Sequence, residues 1–198
     1  MKIIAATQNM HKIKEILAIT GPFGFDVISR KDAGIPDFEI EEDGSTFEEN
    51  SLKKAVEIHR ACGLPTIADD SGLMVDYLDG APGVYSARFA GEEGDDAKNN
   101  EKLLELLADL PYEKRGGKFV SVITMVFSPD DVIVARGECK GHILYKTEGE
   151  NGFGYDPLFC PEGYETSFGM LPPEVKNQIS HRARALNALK DMLENRVL

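Results

Sequence analysis

The spacing of apolar residues divides the chain into short strands and amphipathic helices. Residues 2–6 read as a first strand, and Ile13, Ile16, Leu17 and Ile19 then recur at helical spacing. Thr7 or Asn9 suits the N-cap of that helix, and Gly21-Pro22 ends it. A second strand is expected over 25–28 and a loop over 32–39. Ser45 or Thr46 then caps a helix, with Glu48 or Glu49 completing a capping box. That helix runs to about Ala61 and carries Leu52, Ala55, Val56 and His59 inward. Leu64-Pro65-Thr66-Ile67 and Leu73-Met74-Val75 read as short buried strands flanking a polar turn, Asp69-Asp70-Ser71-Gly72. Leu103, Leu104, Leu107 and Leu110 stripe a helix capped by Asp95 or Asp96 and stopped by Pro111. Residues 118–127 and 132 to about 145 predict two long antiparallel strands around Ser128-Pro129-Asp130-Asp131. A last helix starts near Ser180 and presents Leu186, Leu189, Leu193 and Val197 on one face. Helices interleaved with strands, plus an antiparallel pair, predict an α/β fold with a mixed sheet.

The chain has 198 residues, which suits one domain. Lys and Arg number 22 against 34 Asp and Glu, a net charge of −12. That balance opposes binding to long DNA or RNA, whose affinity rests on many cationic contacts. It does not oppose a small anionic substrate held by a metal and a few local cations. Cys62, Cys139 and Cys160 contain no Cys-x-x-Cys pair, and His11, His59, His142 and His181 show no ligand spacing. Neither a disulfide framework nor a zinc site is expected, and a reducing cytoplasm is. The apolar start is too short for a signal peptide, and no run approaches the roughly 18 apolar residues of a membrane span.

Three stretches carry candidate chemistry. Asp69 and Asp70 are adjacent carboxylates in apolar surroundings, where mutual repulsion and burial are both costly. A hard cation such as Mg²⁺ relieves both, and Glu42, outside the helix that follows it, is a further ligand candidate. Thr7-Gln8-Asn9-Met10-His11-Lys12 joins a strand to a helix, a place where backbone N–H groups and Lys12 favour an anion. Near the last helix, Lys176, His181 and Arg182 gather at its positive end, which costs about 0.3–1 kcal/mol each unless an anion lies among them. Asn151-Gly152-Phe153-Gly154-Tyr155-Asp156-Pro157 permits close backbone approach. Phe153 and Tyr155 there offer a stacking face for a base, worth roughly 1–3 kcal/mol.

These residues, taken in order, resemble the inosine triphosphate pyrophosphatase family, the Ham1-like nucleoside triphosphate pyrophosphatases. Thr7 to Lys12 is similar to its T-x-N-x-x-K, and Glu42 to Asn50 to its E-x-G-x-T-F-x-E-N. Ala68 to Leu73 resembles ADDSGL, and Ala81 to Arg88 resembles APG-x-x-SAR. Gly152 to Pro157 resembles GFGYDP, and Ser180-His181-Arg182 resembles SHR. The likeness spans essentially the whole chain. Asn151 stands where many members have glycine, and Ser51 where alanine is common.

The resemblance implies an elongated α/β fold with a long mixed sheet, two lobes and an active-site cleft between them, all one domain over 1–198. It implies Mg²⁺-dependent hydrolysis of ITP, dITP or XTP to the monophosphate and pyrophosphate, in the cytoplasm, by a homodimer with no polynucleotide or membrane partner. Thr7, Gln8, Asn9, Met10, His11 and Lys12 would hold the triphosphate, with Lys53 nearby. Glu42 and Asp70 would ligate Mg²⁺, Asp70 would accept the proton, and Ser71 would touch substrate. Phe153, Gly154, Tyr155 and Asp156 would line the nucleoside pocket, and Lys176, His181 and Arg182 would read the base and a nearby phosphate. Two alternatives stand beside this: a Maf-type nucleotide pyrophosphatase of other specificity, and a nucleotide sensor without catalysis.

Overall fold

A computed structural model describes residues 2–36, 38–92 and 94–195. The elements are β1 (Lys2–Ala5), α1 (Met10–Thr20), β2 (Asp26–Ser29), α2 (Phe47–Cys62), β3 (Thr66–Val75), α3 (Asp96–Leu106), β4 (Gly116–Ser128), β5 (Asp131–Ile143), β6 (Phe159–Pro161), α4 (Pro173–Ile179) and α5 (His181–Glu194). The strands form one six-stranded sheet in the order β2-β1-β3-β4-β5-β6. It is mixed: β1 runs parallel to β2 and β3, and β5 runs antiparallel to β6. The expected pair of long strands is present as β4 and β5, neighbours joined through Pro129 and Asp130. Val197 lies outside the described residues.

The chain divides into two compact units, Met1–Asp70 with Ser121–Gly137 and Arg182–Leu198, and Ser71–Val120 with Glu138–His181. β3, β4 and β5 each contribute to both units.

In the first unit the sheet is covered on both faces. Ile3, Ala5, Ile67, Ile123 and Met125 pack with α1 (Ile13, Ile16, Ile19) and α5 (Ala183, Ala185, Leu186, Leu189). The alternate residues Ile4, Ala6, Ala68 and Val126 pack with Ala55 and Ile58 of α2. A period of two along each strand explains why β1 reads as a continuous apolar run: both faces are buried. The second unit packs Leu73 and Val75 of β3 with Leu103 of α3, Leu107 just after it, Phe119, Ile143, Tyr155 and Phe159.

Three expectations need correction. β3 is one ten-residue strand, so Asp69 to Gly72 lies inside it and is not a turn between two strands. The inward face of α2 is Phe47, Asn50, Ser51, Lys54, Ala55 and Ile58, while Leu52 is exposed. The residues follow i, i+3, i+4 spacing from Phe47; three of them are polar, which hid this face from a reading by hydrophobicity. Lastly, Lys176 belongs to α4, a helix separate from α5.

Candidate active site

Strand geometry sends Asp69 and Asp70 to opposite faces of the sheet. Asp69 shares a face with Ile67 and meets α1 and α5; Asp70 shares a face with Ala68 and meets α2. Their mutual repulsion is therefore not what shapes the site. Lys12 and Arg182 pair directly with Asp69, and Lys54 with Asp70.

On the α1/α5 face, the Asp69 carboxylate is 2.8 Å from Lys12 Nζ, accepts from Arg182 Nη2 at 3.1 Å and accepts from Ser121 Oγ at 2.6 Å. Arg182 also pairs with Glu15 of α1. Burial alone would raise the Asp69 pKa, but Arg182 and Lys12 outweigh it and hold the carboxyl well below its ordinary value of 3.8. Burial likewise disfavours the Arg182 charge, but Asp69 and Glu15 more than restore it. The anions that answer the cation at the start of α5 thus come from the protein itself, which corrects the expectation of an anionic ligand as their partner. The guanidinium is fully buried and committed to these two carboxylates.

Arg182→Ala leaves Asp69 and Glu15 short of a buried partner, and denaturant unfolding at pH 7 is expected to show a loss of about 3–5 kcal/mol. A loss under about 1 kcal/mol would demote the pairing to incidental contact. Because the Asp69 pKa is lowered on folding, its contribution is present above about pH 3.8 and is lost as pH falls through the folded value.

On the α2 face, Lys54 Nζ donates to Asp70 Oδ1 at 2.8 Å and to Glu42 Oε2 at 2.9 Å. Asp70 Oδ2 is buried without a hydrogen-bond partner. Burial raises the Asp70 pKa and Glu42 adds to the rise; Lys54 and Lys12 pull against it, and the carboxyl stands at about 6. At Glu42 burial is outweighed by Lys54, and the pKa is lowered. The lysine that meets the acidic pair is therefore Lys54 and not Lys53. Lys53 faces solvent beside Asp43 at 2.6 Å. Adjacent helical positions lie about 100° apart around the axis, and a Lys-Lys pair does not say by residue type which lysine faces inward, although Lys54 completes the Phe47, Asn50, Ser51 spacing.

α2 itself is held in place by a full capping box, Thr46 Oγ1 accepting from Glu49 N at 3.1 Å while Glu49 Oε2 accepts from Thr46 N at 3.3 Å. Ser51 Oγ bonds Thr124 Oγ1 at 2.9 Å and Ala68 O at 3.3 Å, tying α2 to β3 two residues before Asp70. The hydroxyl at this position thus has a defined structural use.

The turn before α1 is also built from its own side chains. Asn9 Oδ1 accepts from His11 N at 2.9 Å and Lys12 N at 3.2 Å, and Thr7 Oγ1 accepts from Asn9 N at 3.1 Å. Asn9 is thus the N-cap, and the amides of His11 and Lys12 are engaged by it. Gln8, Asn9, Met10 and His11 are exposed, and Thr7 and Lys12 are half-buried.

In the second unit, the Asp156 carboxylate accepts from Phe153 N at 2.8 Å and from Lys176 Nζ at 2.6 Å. Lys176 Nζ also lies 5.0 Å from the centroid of the Phe153 ring. Gly152, at φ +77°, makes room for this loop, since a Cβ there would stand 2.0 Å from Asp156 Oδ2. Asn151 does not have a positive φ. It donates through N to Gly169 O at 2.9 Å and through Nδ2 to Leu171 O at 3.1 Å, so glycine is not required there. Tyr155 corrects the expectation of a two-ring stacking face: its ring is in the core and its hydroxyl donates to Ser86 O at 2.8 Å. Phe153 is half-buried. His181 is buried and stacks on Phe119, with centroids 4.6 Å apart. Ser71 is half-buried in β3.

The structure thus gathers Lys12, Asp69 and Arg182 with Glu15 on one face of the sheet of the first unit and Glu42 and Asp70 with Lys54 on the other, and Phe153, Asp156 and Lys176 in the second unit. Among the described residues no three His, Cys, Asp or Glu side chains cluster as a metal site. Mg²⁺ commonly takes only one or two carboxylates with waters and substrate phosphates. Asp70 and Glu42 are hard oxygen donors already sharing one cation, the Lys54 ammonium, and Asp70 keeps one oxygen unpartnered, so this pair fits such an ion.

The Ham1 family model matches residues 3–192. A dITP/XTP pyrophosphatase of Clostridium perfringens is 50% identical over 199 residues, covering 98% of this chain and 97% of that protein. One from Haemophilus influenzae is 52% identical, covering 97% and 98%. The solved structure of the Staphylococcus aureus Ham1 protein superposes with a TM-score of 0.87 at 42% identity, covering 99% of this chain and 100% of that one. The chain belongs to the Ham1 family.

Proposed function

We propose that this protein is a nucleoside triphosphate pyrophosphatase that acts on deaminated purine nucleotides, ITP, dITP and XTP. Water attacks, the anhydride bond between the α- and β-phosphoryl groups breaks, and the products are the nucleoside monophosphate and pyrophosphate. The carrying observation is that a chain about half identical to dITP/XTP pyrophosphatases along its length keeps Asp70 buried with one oxygen unpartnered.

Asp70 is the group that takes the proton from the attacking water, at Oδ2. A positioned carboxylate is a suitable general base for such a water. Glu42 and Asp70 would hold Mg²⁺, which supplies charge neutralisation to the phosphates when bound. Lys12 and Lys54 hold the phosphate end with the turn from Thr7 to His11, and Arg182 acts by fixing Asp69 and through it Lys12. Ser71 lies next in the chain to Asp70 and is assigned a substrate contact. Phe153, Lys176 and His181 are assigned to the nucleoside, with Gly154, Tyr155 and Asp156 shaping the loop.

Inosine and xanthine carry a 6-carbonyl where adenine carries an amine. A donor built to meet that oxygen rejects the amine strongly, because the mismatch leaves a buried polar group unsatisfied. The free thiols of Cys62, Cys139 and Cys160 support a reducing cytoplasm. No described helix is long and apolar enough to cross a membrane. A homodimer is proposed on the family resemblance.

The test is pyrophosphate release from ITP, XTP, GTP and ATP with Mg²⁺. Release from ITP and XTP at least tenfold faster in kcat/KM than from ATP is expected; ITP binding without release would leave a sensor. Full chelation of divalent cations is expected to stop turnover, and activity surviving it would remove the metal. Before metal is added, NMR of the Asp70 carboxyl is expected to show a midpoint of about 6. A midpoint near 3.8 would contradict the burial argument.

A further inference from the structure

Helix α3 does more in the second unit than fill the core. Its N-cap is Asp95, whose side chain accepts from Lys98 N at 3.0 Å. Asp96 is therefore not needed for capping. Its carboxylate instead accepts from Gly154 N at 2.7 Å. One helical turn on, Asn100 Nδ2 donates to Gly154 O at 2.9 Å. Both main-chain polar groups of one glycine, at φ +60°, are thus gripped by two side chains of one helix. The neighbouring Asn99 serves elsewhere, bonding Ala90 N and Ala87 O. Asn100 is buried, and its Oδ1 has no partner, so an amide is retained in the core for one hydrogen bond to the loop while its other polar atom goes unmet. Such an atom is costly to keep.

We propose that Asp96 and Asn100 are positioning residues that set Gly154, and with it the Phe153 ring, for the nucleoside. The proposal rests on the function proposed above. Neither residue needs to touch substrate. The loop is also held at Asn151, by Gly169 O and Leu171 O, at Asp156, by Phe153 N, Lys176 and Gly169 N, and at Tyr155, by Ser86 O. Gly154 is the point of the loop gripped from α3, and it adjoins Phe153 directly. Loss of either grip frees the peptide on both sides of Gly154 and spreads the orientations of the ring, which weakens nucleoside binding and leaves the phosphate end alone.

The experiment compares wild type with Asn100→Ala, Asp96→Ala and Asp96→Asn, each checked for unchanged thermal midpoint. KM for ITP is expected to rise about tenfold in both alanine variants, the effect of one hydrogen bond, with kcat within about twofold. Asp96→Asn, which keeps an acceptor oxygen, should restore most of the loss. Inorganic tripolyphosphate, which has no nucleoside, should inhibit all four proteins with the same inhibition constant. An unmoved KM in both alanine variants overturns the clamp. So does an inhibition constant that rises by the same factor as KM, since the defect would then reach the phosphate end. Asp96 is exposed, so that variant stays informative if Asn100→Ala fails to fold. A wild type that releases no pyrophosphate from ITP overturns the proposed function itself, and the clamp's role with it; an active wild type with unmoved variants overturns the clamp alone.

Discussion

Replacing Asp70 by asparagine is expected to lower turnover of ITP by roughly 10³-fold while leaving a folded protein, the scale of losing a positioned general base. The amide fills the same volume and can still meet Lys54, but it accepts no proton at Oδ2 and carries no charge for a cation. The fold survives because Asp70 is strained by burial, as its raised pKa records. Folding favours its protonated form: with a folded value of about 6 against an ordinary 3.8, that contribution is fully present below about pH 3.8 and lost as pH rises through about 6. Asp70→Asn should therefore flatten that part of the stability profile. Asp69→Asn is the informative contrast. Asp69 answers Lys12 and Arg182, so its loss should cost stability first and activity through misplacement of Lys12. Circular dichroism, thermal unfolding and pyrophosphate release on both variants decide the matter. Near-wild-type turnover in folded Asp70→Asn would sink its role, and equal loss of stability in both variants would undo the two-face distinction.

That distinction was half legible in the sequence. The motif around Asp69 and Asp70 stands out as the chemistry of the chain, and the surrounding apolar runs locate it on a buried strand. Ser71-Gly72 reads as a turn, which divides β3 in two and places both carboxylates together. Once the strand is continuous, a period of two separates them, and cations from α1 and α5 on one side and α2 on the other follow. No spacing rule links Lys12, Asp69 and Arg182, because their contacts close only through the sheet order. The helices with strong local signals came through well: Asn9, Thr46 and Asp95 cap where a short polar acceptor precedes an amphipathic run. Where the inward face is polar, as on α2, hydrophobic spacing points to the wrong residues. Tyr155 shows the converse: an aromatic beside glycine invites a stacking role, and only packing reveals a core ring with its hydroxyl satisfied by Ser86.

Lys54→Met and Lys53→Ala should part company, although the two lysines are adjacent. Methionine keeps most of the volume of Lys54 but removes the ammonium shared by Asp70 and Glu42. Two partly buried carboxylates then face each other without a cation, and breaking such a pairing costs about 3–5 kcal/mol. Both carboxyl pKa values should rise, because Lys54 now pulls each of them down. Wild-type Asp70 ionises through about pH 6 and the variant's only above it, so the deficit grows as pH rises past about 6 and shrinks as pH falls and Asp70 is protonated in both proteins. kcat/KM for ITP should fall by about a hundredfold or more, since a cation near developing phosphate charge is worth roughly 2.7–4 kcal/mol. Lys53→Ala removes only a solvent-facing partner of Asp43, and exposed pairs contribute little; stability and kcat/KM should stay within twofold of wild type. Unfolding curves from pH 5 to 8 and ITP kinetics on the two variants provide the test. A Lys53→Ala enzyme that loses activity while Lys54→Met keeps it would return the phosphate contact to Lys53 and leave Lys54 as a structural counter-ion alone.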